Sequence, residues 1–157
     1  MKVEVRKVKS FRGREGLGFN AELVVDGKKV AFVIDEGSGG ALRFDWEGGR
    51  DSPAQKKLLL WLASQTPEAL GLHINVPGTD PDVAAEVLFR TPEDKLDAYV
   101  NHLVDLHEEA KRLARQKKTK VVIEDQGKRY TFNINRGETR EQTEAEVRCR
   151  WPSAKIL

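Results

Sequence analysis

The sequence has a single cysteine, a single methionine, few asparagines and glutamines, and no long apolar run. Each scarcity excludes something. A lone Cys149 cannot form an internal disulfide and fits a reducing compartment. The longest uninterrupted apolar stretch, residues 58–63, falls far short of the roughly 20 residues that a membrane-spanning helix requires. The first ten residues alternate charged and apolar side chains, so no apolar secretion signal is expected there. A cytoplasmic location is the expectation. His73, His102 and His107 lack metal-ligand spacing, and His107-Glu108-Glu109 has no second histidine of a zinc-binding helix. No nucleophile elbow, P-loop lysine or dinucleotide glycine fingerprint is present, although a triad assembled from distant residues leaves no local trace. These absences predict a non-enzymatic protein with no cofactor and no metal. Asp35, Glu36, Asp45 and Glu47 are the one acidic group that strand ends would gather around a divalent cation; four separately solvated acids are the simpler reading.

Charge is abundant. Charged residues make up 33% of the chain, and with so few Asn, Gln, Cys and Met this composition is of the kind seen in proteins from hot environments. The net charge of +2 conceals a polarised distribution. Residues 1–18 carry six Lys/Arg against two acids, and residues 108–157 carry thirteen against eight; residues 19–50 have four against six, and residues 51–107 four against nine. If the two basic ends meet in space, they form one basic face opposite an acidic helical layer.

At 157 residues and 39% hydrophobic content the chain can bury a core as a single domain, residues 1–157. Period-two alternation predicts a strand over residues 2–9, with Val8 out of phase and a bulge near Arg6-Lys7. Asp26-Gly27 predicts a two-residue hairpin turn in which paired positions are Leu23 with Val30, Ala21 with Phe32 and Phe19 with Ile34. Beyond a glycine cluster, Leu42, Phe44 and Trp46 continue the same apolar face. Ser52-Pro53 starts a helix over residues 54–64 that is apolar nearly all round and therefore expected to be buried, with Trp61 in the core. Thr66-Pro67-Glu68 opens a short helical turn closed by Gly71; a short strand or link over residues 72–76 and a helix over residues 80–88 follow. The longest helix begins at Thr91-Pro92 and runs to about Gln116, with a stripe of Leu96, Tyr99, Val100, Leu103, Leu106, His107, Ala110 and Leu113. A second hairpin turns over residues 125–128, with Tyr130, Phe132 and Ile134 on one face and Arg129, Thr131, Asn133 and Asn135 on the other. Thr139 and Gln142 form a capping box for a last helix ending near Arg150. The fold class is α+β: a strand-rich segment at residues 1–47 forming an antiparallel sheet, a helical middle at 52–118, and a hairpin plus helix at 119–157.

Two features carry functional interest. Arg115, Lys117, Lys118, Lys120, Lys128, Arg129, Arg136 and Arg140, with Arg12 and Arg14 of an N-terminal glycine-containing loop, are the candidate contacts for nucleic acid or an acidic partner protein. The bland alternative is a solvated helix end, hairpin edge and loop. Gly37, Ser38, Gly39 and Gly40, arriving straight after a strand, are the candidate anion or nucleotide cradle, since consecutive glycines let backbone amides converge. Against that stand the acids Asp35 and Glu36 next door and a following strand where a phosphate loop has a helix. A structural turn is the favoured reading.

The pattern Asn20-Ala21-x-Leu23-x-x-Asp26-Gly27-Lys28-Lys29-Val30-Ala31, followed by Gly37, Gly39-Gly40 and Trp46, resembles a group of small uncharacterised proteins carried by phages and prophages. The likeness extends to the long middle helix, Lys117-Lys118-Thr119 entering a hairpin, and a closing Pro152-Ser153-Ala154-Lys155-Ile156-Leu157. Where that group has an asparagine before the first glycine, this chain has Asp35-Glu36. The resemblance implies an accessory protein of a mobile element and brings no activity with it. The expected function is therefore binding of a host macromolecule through the basic segments, with no membrane partner. Nucleic-acid binding, and a nucleotide or signalling molecule held by the glycine loop, are the alternatives.

Overall fold

Alternating apolar residues at the N-terminus build the strand β1 (Val3–Arg12), which returns as β2 (Leu17–Val25), β3 (Lys28–Asp35) and β4 (Arg43–Trp46). The computed structural model describes residues 1–72, 84 and 88–157. Helix α1 (Pro53–Ala63), a 3-10 turn (Glu68–Leu70) and the long helix α2 (Pro92–Thr119) follow; then come β5 (Lys120–Asp125), β6 (Lys128–Asn133), α3 (Arg140–Arg150) and β7 (Lys155–Ile156). The architecture is α+β. The strand expected over residues 72–76 and the helix expected over 80–88 lie, beyond Leu72, Ala84 and Leu88, outside the described residues. The chain divides into two compact units, Met1–His107 and Glu108–Leu157, the division falling inside α2.

In the first unit the sheet is an antiparallel meander, β1-β2-β3-β4. The bulge expected near Arg6-Lys7 is present: the register shifts between Arg6 and Lys9, Lys7 takes φ 53°, and Val8 becomes buried. Asp26 (φ 48°) and Gly27 (φ 82°) make the expected primed turn. The register beyond that turn differs from the sequence expectation. Val24 pairs with Lys29 as expected, but Leu23 pairs with Ala31, Ala21 with Val33 and Phe19 with Asp35, because Val30 is an extra residue in β3. The shift has a packing reason. It brings the small Ala31 and Val33 to the core face, directly opposite the large Trp46 and Phe44 of β4, and moves Phe32 and Ile34 off that face. The Phe44 and Trp46 rings stack at 5.6 Å, so β4 does extend the apolar face as its alternation predicted.

Ser52 caps α1 by accepting a hydrogen bond from the Gln55 amide, with proline at the first turn. The expectation that this helix is buried all round is corrected by its geometry. Leu58 and Leu62 are fully buried, one turn apart, whereas Leu60 is 74% exposed on the opposite side. Trp61 is half-buried and packs against the core, its ring 6.1 Å from that of Tyr99. Gly71 ends the 3-10 turn in the left-handed conformation, as predicted. Thr91 and Asp94 cap α2 reciprocally, and Leu96, Val100 and Val104 carry its buried stripe, while Leu106 is exposed. Two polar contacts tie the helices to their surroundings: Lys95 donates to the carbonyls of Leu62 and Gln65 at the end of α1, and Asp97 accepts from the Leu42 amide at 3.1 Å.

In the second unit β5 is central, flanked by β6 and by the two-residue β7. Gln126 (φ 50°) and Gly127 (φ 74°) form the turn. Val121 and Ile123 of β5 meet Val147 of α3, with Phe132, Ile134, Trp151, Ala154 and Ile156 completing this small core. The predicted capping box of Thr139 and Gln142 is present. No helix among the described residues is long and apolar enough to cross a membrane.

Candidate functional site

The second unit holds thirteen Lys/Arg against eight Asp/Glu, a net charge of +5. Its topology sorts these cations. The last turn of α2 runs straight into β5, the Ile134 amide donates to the Thr119 carbonyl at 3.2 Å, and Arg140 at the start of α3 reaches the carbonyls of Lys117 and Lys120. The end of α2, the start of β5, the end of β6 and the start of α3 thus converge at one junction. Arg115, Lys117, Lys118, Lys120 and Arg140 lie on those segments, and Arg136 lies in the turn that joins β6 to α3. Lys128 and Arg129 are at the far end of the hairpin, a strand length of about 20 Å away. Arg12 and Arg14 belong to the first unit.

Two of these cations are engaged internally. The Arg140 guanidinium donates to the Lys117 carbonyl, which the end of α2 leaves without a helical partner, and to that of Lys120 at the start of β5, and it also pairs with Glu144 at 3.4 Å. Arg129 pairs with Glu109 of α2 and reaches Glu124 across the hairpin. Arg115, Lys117, Lys118, Lys120 and Arg136 have no ion-pair partner among the described residues. The nearest acids in sequence are already employed. Glu138 accepts from the Asn135 amide, and Glu141 is held below its ordinary range by its own backbone amide and by Thr139. Arg112, Arg115 and Lys118 recur at three-residue spacing on an exposed flank of α2, leading toward the junction.

The glycine loop of the first unit has a different logic. Gly37 is buried, its amide donates to the Asp35 carboxylate at 2.8 Å, and its carbonyl accepts from the Glu15 amide at 2.9 Å. A Cβ on Gly18 would stand 2.4 Å from the Asp35 carbonyl oxygen, and one on Gly13 would stand 2.3 Å from that of Glu36. Gly13, Gly18 and Gly37 therefore let the loop after β1 lie backbone against backbone on the end of β3. Ser38, Gly39 and Gly40 are exposed beside it, with the Glu15 carboxylate near Gly39. Two carboxylates, those of Asp35 and Glu15, therefore stand against this loop. Arg12 and Arg14 are exposed and make no ion pair among the described residues.

No family model, curated protein or solved structure matches the chain. Chemistry must be read from the geometry alone. Among the described residues no group of three His, Cys, Asp or Glu side chains is placed to hold a metal ion. Of the four acids considered for that role, Asp35 is bound to the Gly37 amide, Glu36 to Arg43 and Glu47 to Lys29, whose ammonium is held above its ordinary range by that hydrogen bond. His73 lies outside the described residues.

A cleft of about 330 Å³ lies between β6 and α3, walled by Thr131, Asn133 and Asn135 on one side and Glu146, Val147 and Arg150 on the other. Phe132 and Trp151, whose rings are 4.9 Å apart, also line it. The polar alternation of β6 was legible, but nothing in the sequence placed α3 beside that strand.

Proposed function

We propose that the chain is a small, non-enzymatic accessory protein of the phage-carried type that binds an acidic macromolecule of its host through the basic junction of its second unit. The observation that carries this reading is the gathering of Arg115, Lys117, Lys118 and Lys120 on converging segments, with Arg136 in the turn between two of them, none with an ion-pair partner among the described residues. The negative end of the α2 dipole accounts for a cation or two in its last turn. It does not account for Lys120 and Arg136, which lie beyond the helix. The arrangement offers several separate point charges, so it suits a partner recognised by charge density over several contacts.

The test is binding of full-length protein to duplex DNA, single-stranded RNA and polyglutamate across a salt series. The expected result is salt-sensitive binding to at least one of these, lost on combined charge reversal at Lys117, Lys118 and Lys120. Preference for either nucleic acid would identify a nucleic-acid binder, whereas preference for polyglutamate would identify an acidic protein partner. Binding that survives the charge reversal unchanged, or no binding to any probe, would sink the reading.

A further inference from the structure

The cleft beside β6 coincides with an unprotected sheet edge, and the two together point to a second interaction surface. The phase of the β5–β6 ladder is fixed at its end, where the Ile134 amide donates to Thr119. Counting back in twos, Phe132, Tyr130 and Lys128 exchange hydrogen bonds with Val121, Ile123 and Asp125. The backbone N–H and C=O groups of Arg129, Thr131 and Asn133 therefore point away from β5. An independent contact agrees: Leu157 donates to the Val122 carbonyl, so Val122, which faces Thr131, directs its own backbone toward β7. Among the described residues no backbone partner meets Arg129, Thr131 or Asn133 on that outer side.

Open edges are normally blunted, and the rest of this chain follows that rule. β1 carries a bulge and the basic residues Lys2, Arg6, Lys7 and Lys9 along or beside it, and β4 has only four residues. β6 has six residues in unbroken register, without proline or bulge, and its two basic residues, Lys128 and Arg129, stand only at the turn end. Helix α3 forms a wall beside this edge and the cleft between them is open, so an added strand would have a side chain or two to insert over Val147, Phe132 and Trp151.

The geometry points to β6 as a docking site for an extended acidic segment of a partner protein, added antiparallel or parallel to the strand with apolar side chains facing the cleft. Charge selects this occupant. Lys128 opens the strand and Arg136 follows its end. In the lining, Glu146 and Arg150 pair with one another at 2.6 Å, and Glu138 accepts from the Asn135 amide. The unit's net charge of +5 disfavours pairing with a second copy of itself. The surface shares Arg136 with the basic junction but binds through the β6 backbone edge, so charge reversal at Lys117, Lys118 and Lys120 tests the junction and N-methylation of the peptide tests the edge.

The probe is a short, fluorescently labelled peptide alternating Glu and Val, titrated into full-length protein, with a Lys/Val peptide of the same pattern as control. Binding of the acidic peptide is expected to slow amide exchange at Thr131 and Asn133 roughly tenfold when the peptide is at about ten times its Kd, while the amides of Tyr130 and Phe132, already paired, change little. Thr131→Pro removes an outward N–H without touching the β5 ladder and is expected to weaken binding roughly tenfold or more. Should that variant misfold, an acidic peptide N-methylated at alternate backbone positions asks the same question of the native chain and is expected to bind at least as weakly. Equal binding of the methylated peptide, protection elsewhere than β6, equal binding of the basic peptide, no binding, or self-association that buries β6 would each overturn the proposal.

Discussion

The guanidinium of Arg140, in the first turn of α3, is bound to the carbonyl of Lys117, in the last turn of α2, and to that of Lys120 at 3.1 Å. A residue that reads in the sequence as a surface cation is thus a cap supplied from another element. Lys95 does the same for the end of α1. Arg140→Ala is expected to lower stability by about 1–3 kcal/mol, since it leaves half-buried carbonyls without their charged donor. Arg140→Lys should recover only part of this, because an ammonium lacks the fork that spans two acceptors. Urea unfolding of the two variants beside the wild type measures both effects.

The interlocked glycines predict a sharp contrast between neighbours. Gly18→Ala places a methyl group 2.4 Å from a backbone oxygen, whereas nothing lies within 4 Å of the corresponding position at Gly16. The first substitution is expected to cost about 1–3 kcal/mol or more through forced backbone movement, and the second to stay within about 0.5 kcal/mol. Thermal unfolding of the pair suffices, and equal midpoints would show that the loop does not rest on Gly37.

Helix α1 offers a similar contrast. Leu58→Ala removes a side chain with no exposed surface and is expected to cost about 2–5 kcal/mol. Leu60→Ala, two residues on, removes one that is 74% exposed, and its unfolding midpoint should hardly move.

Burial pushes the Asp97 carboxyl above its ordinary range; the hydrogen bond from Leu42 opposes this, and Asp94 adds to it. Between the unfolded and folded pKa values the native state therefore binds more protons than the unfolded state. The contribution of this group to stability accordingly falls as pH rises through that interval. Asp97→Asn keeps an oxygen that can accept from the Leu42 amide while removing the charge. It is expected to equal or exceed wild-type stability at neutral pH and to flatten the pH profile just above the ordinary aspartate range. Unfolding curves collected from mildly acidic to neutral pH test this; a variant less stable than wild type only where the carboxyl is ionised would show that the charge itself is needed.

What the sequence made legible was local. Ser52-Pro53, Thr139 with Gln142, and Asp26-Gly27 act on their immediate neighbours, and all appear where the residue types require them. What it hid depends on elements far apart in the chain. The extra residue at Val30 answers to the size of Phe44 and Trp46 on the next strand, so the regular register beyond Asp26-Gly27 was the wrong expectation. Tyr130 and Phe132 share a face by alternation, yet only Phe132 has Trp151 against it, and Tyr130 is 41% exposed. Of the candidate site, residue types were legible and grouping was not: the same basic composition contains a helix cap at Arg140, an ion-paired strand residue at Arg129 and a junction cluster.

The strand β7 is only two residues long, but it lies against the most deeply buried strand of its unit, and Leu157 adds a further hydrogen bond to Val122. During synthesis, β5 leaves the ribosome thirty-odd residues before the segment that covers its second edge. The nascent chain must hold Val121, Val122 and Ile123 with one flank open until residues 155–157 emerge. A truncation that removes residues 155–157 would hold the second unit in that aggregation-prone condition.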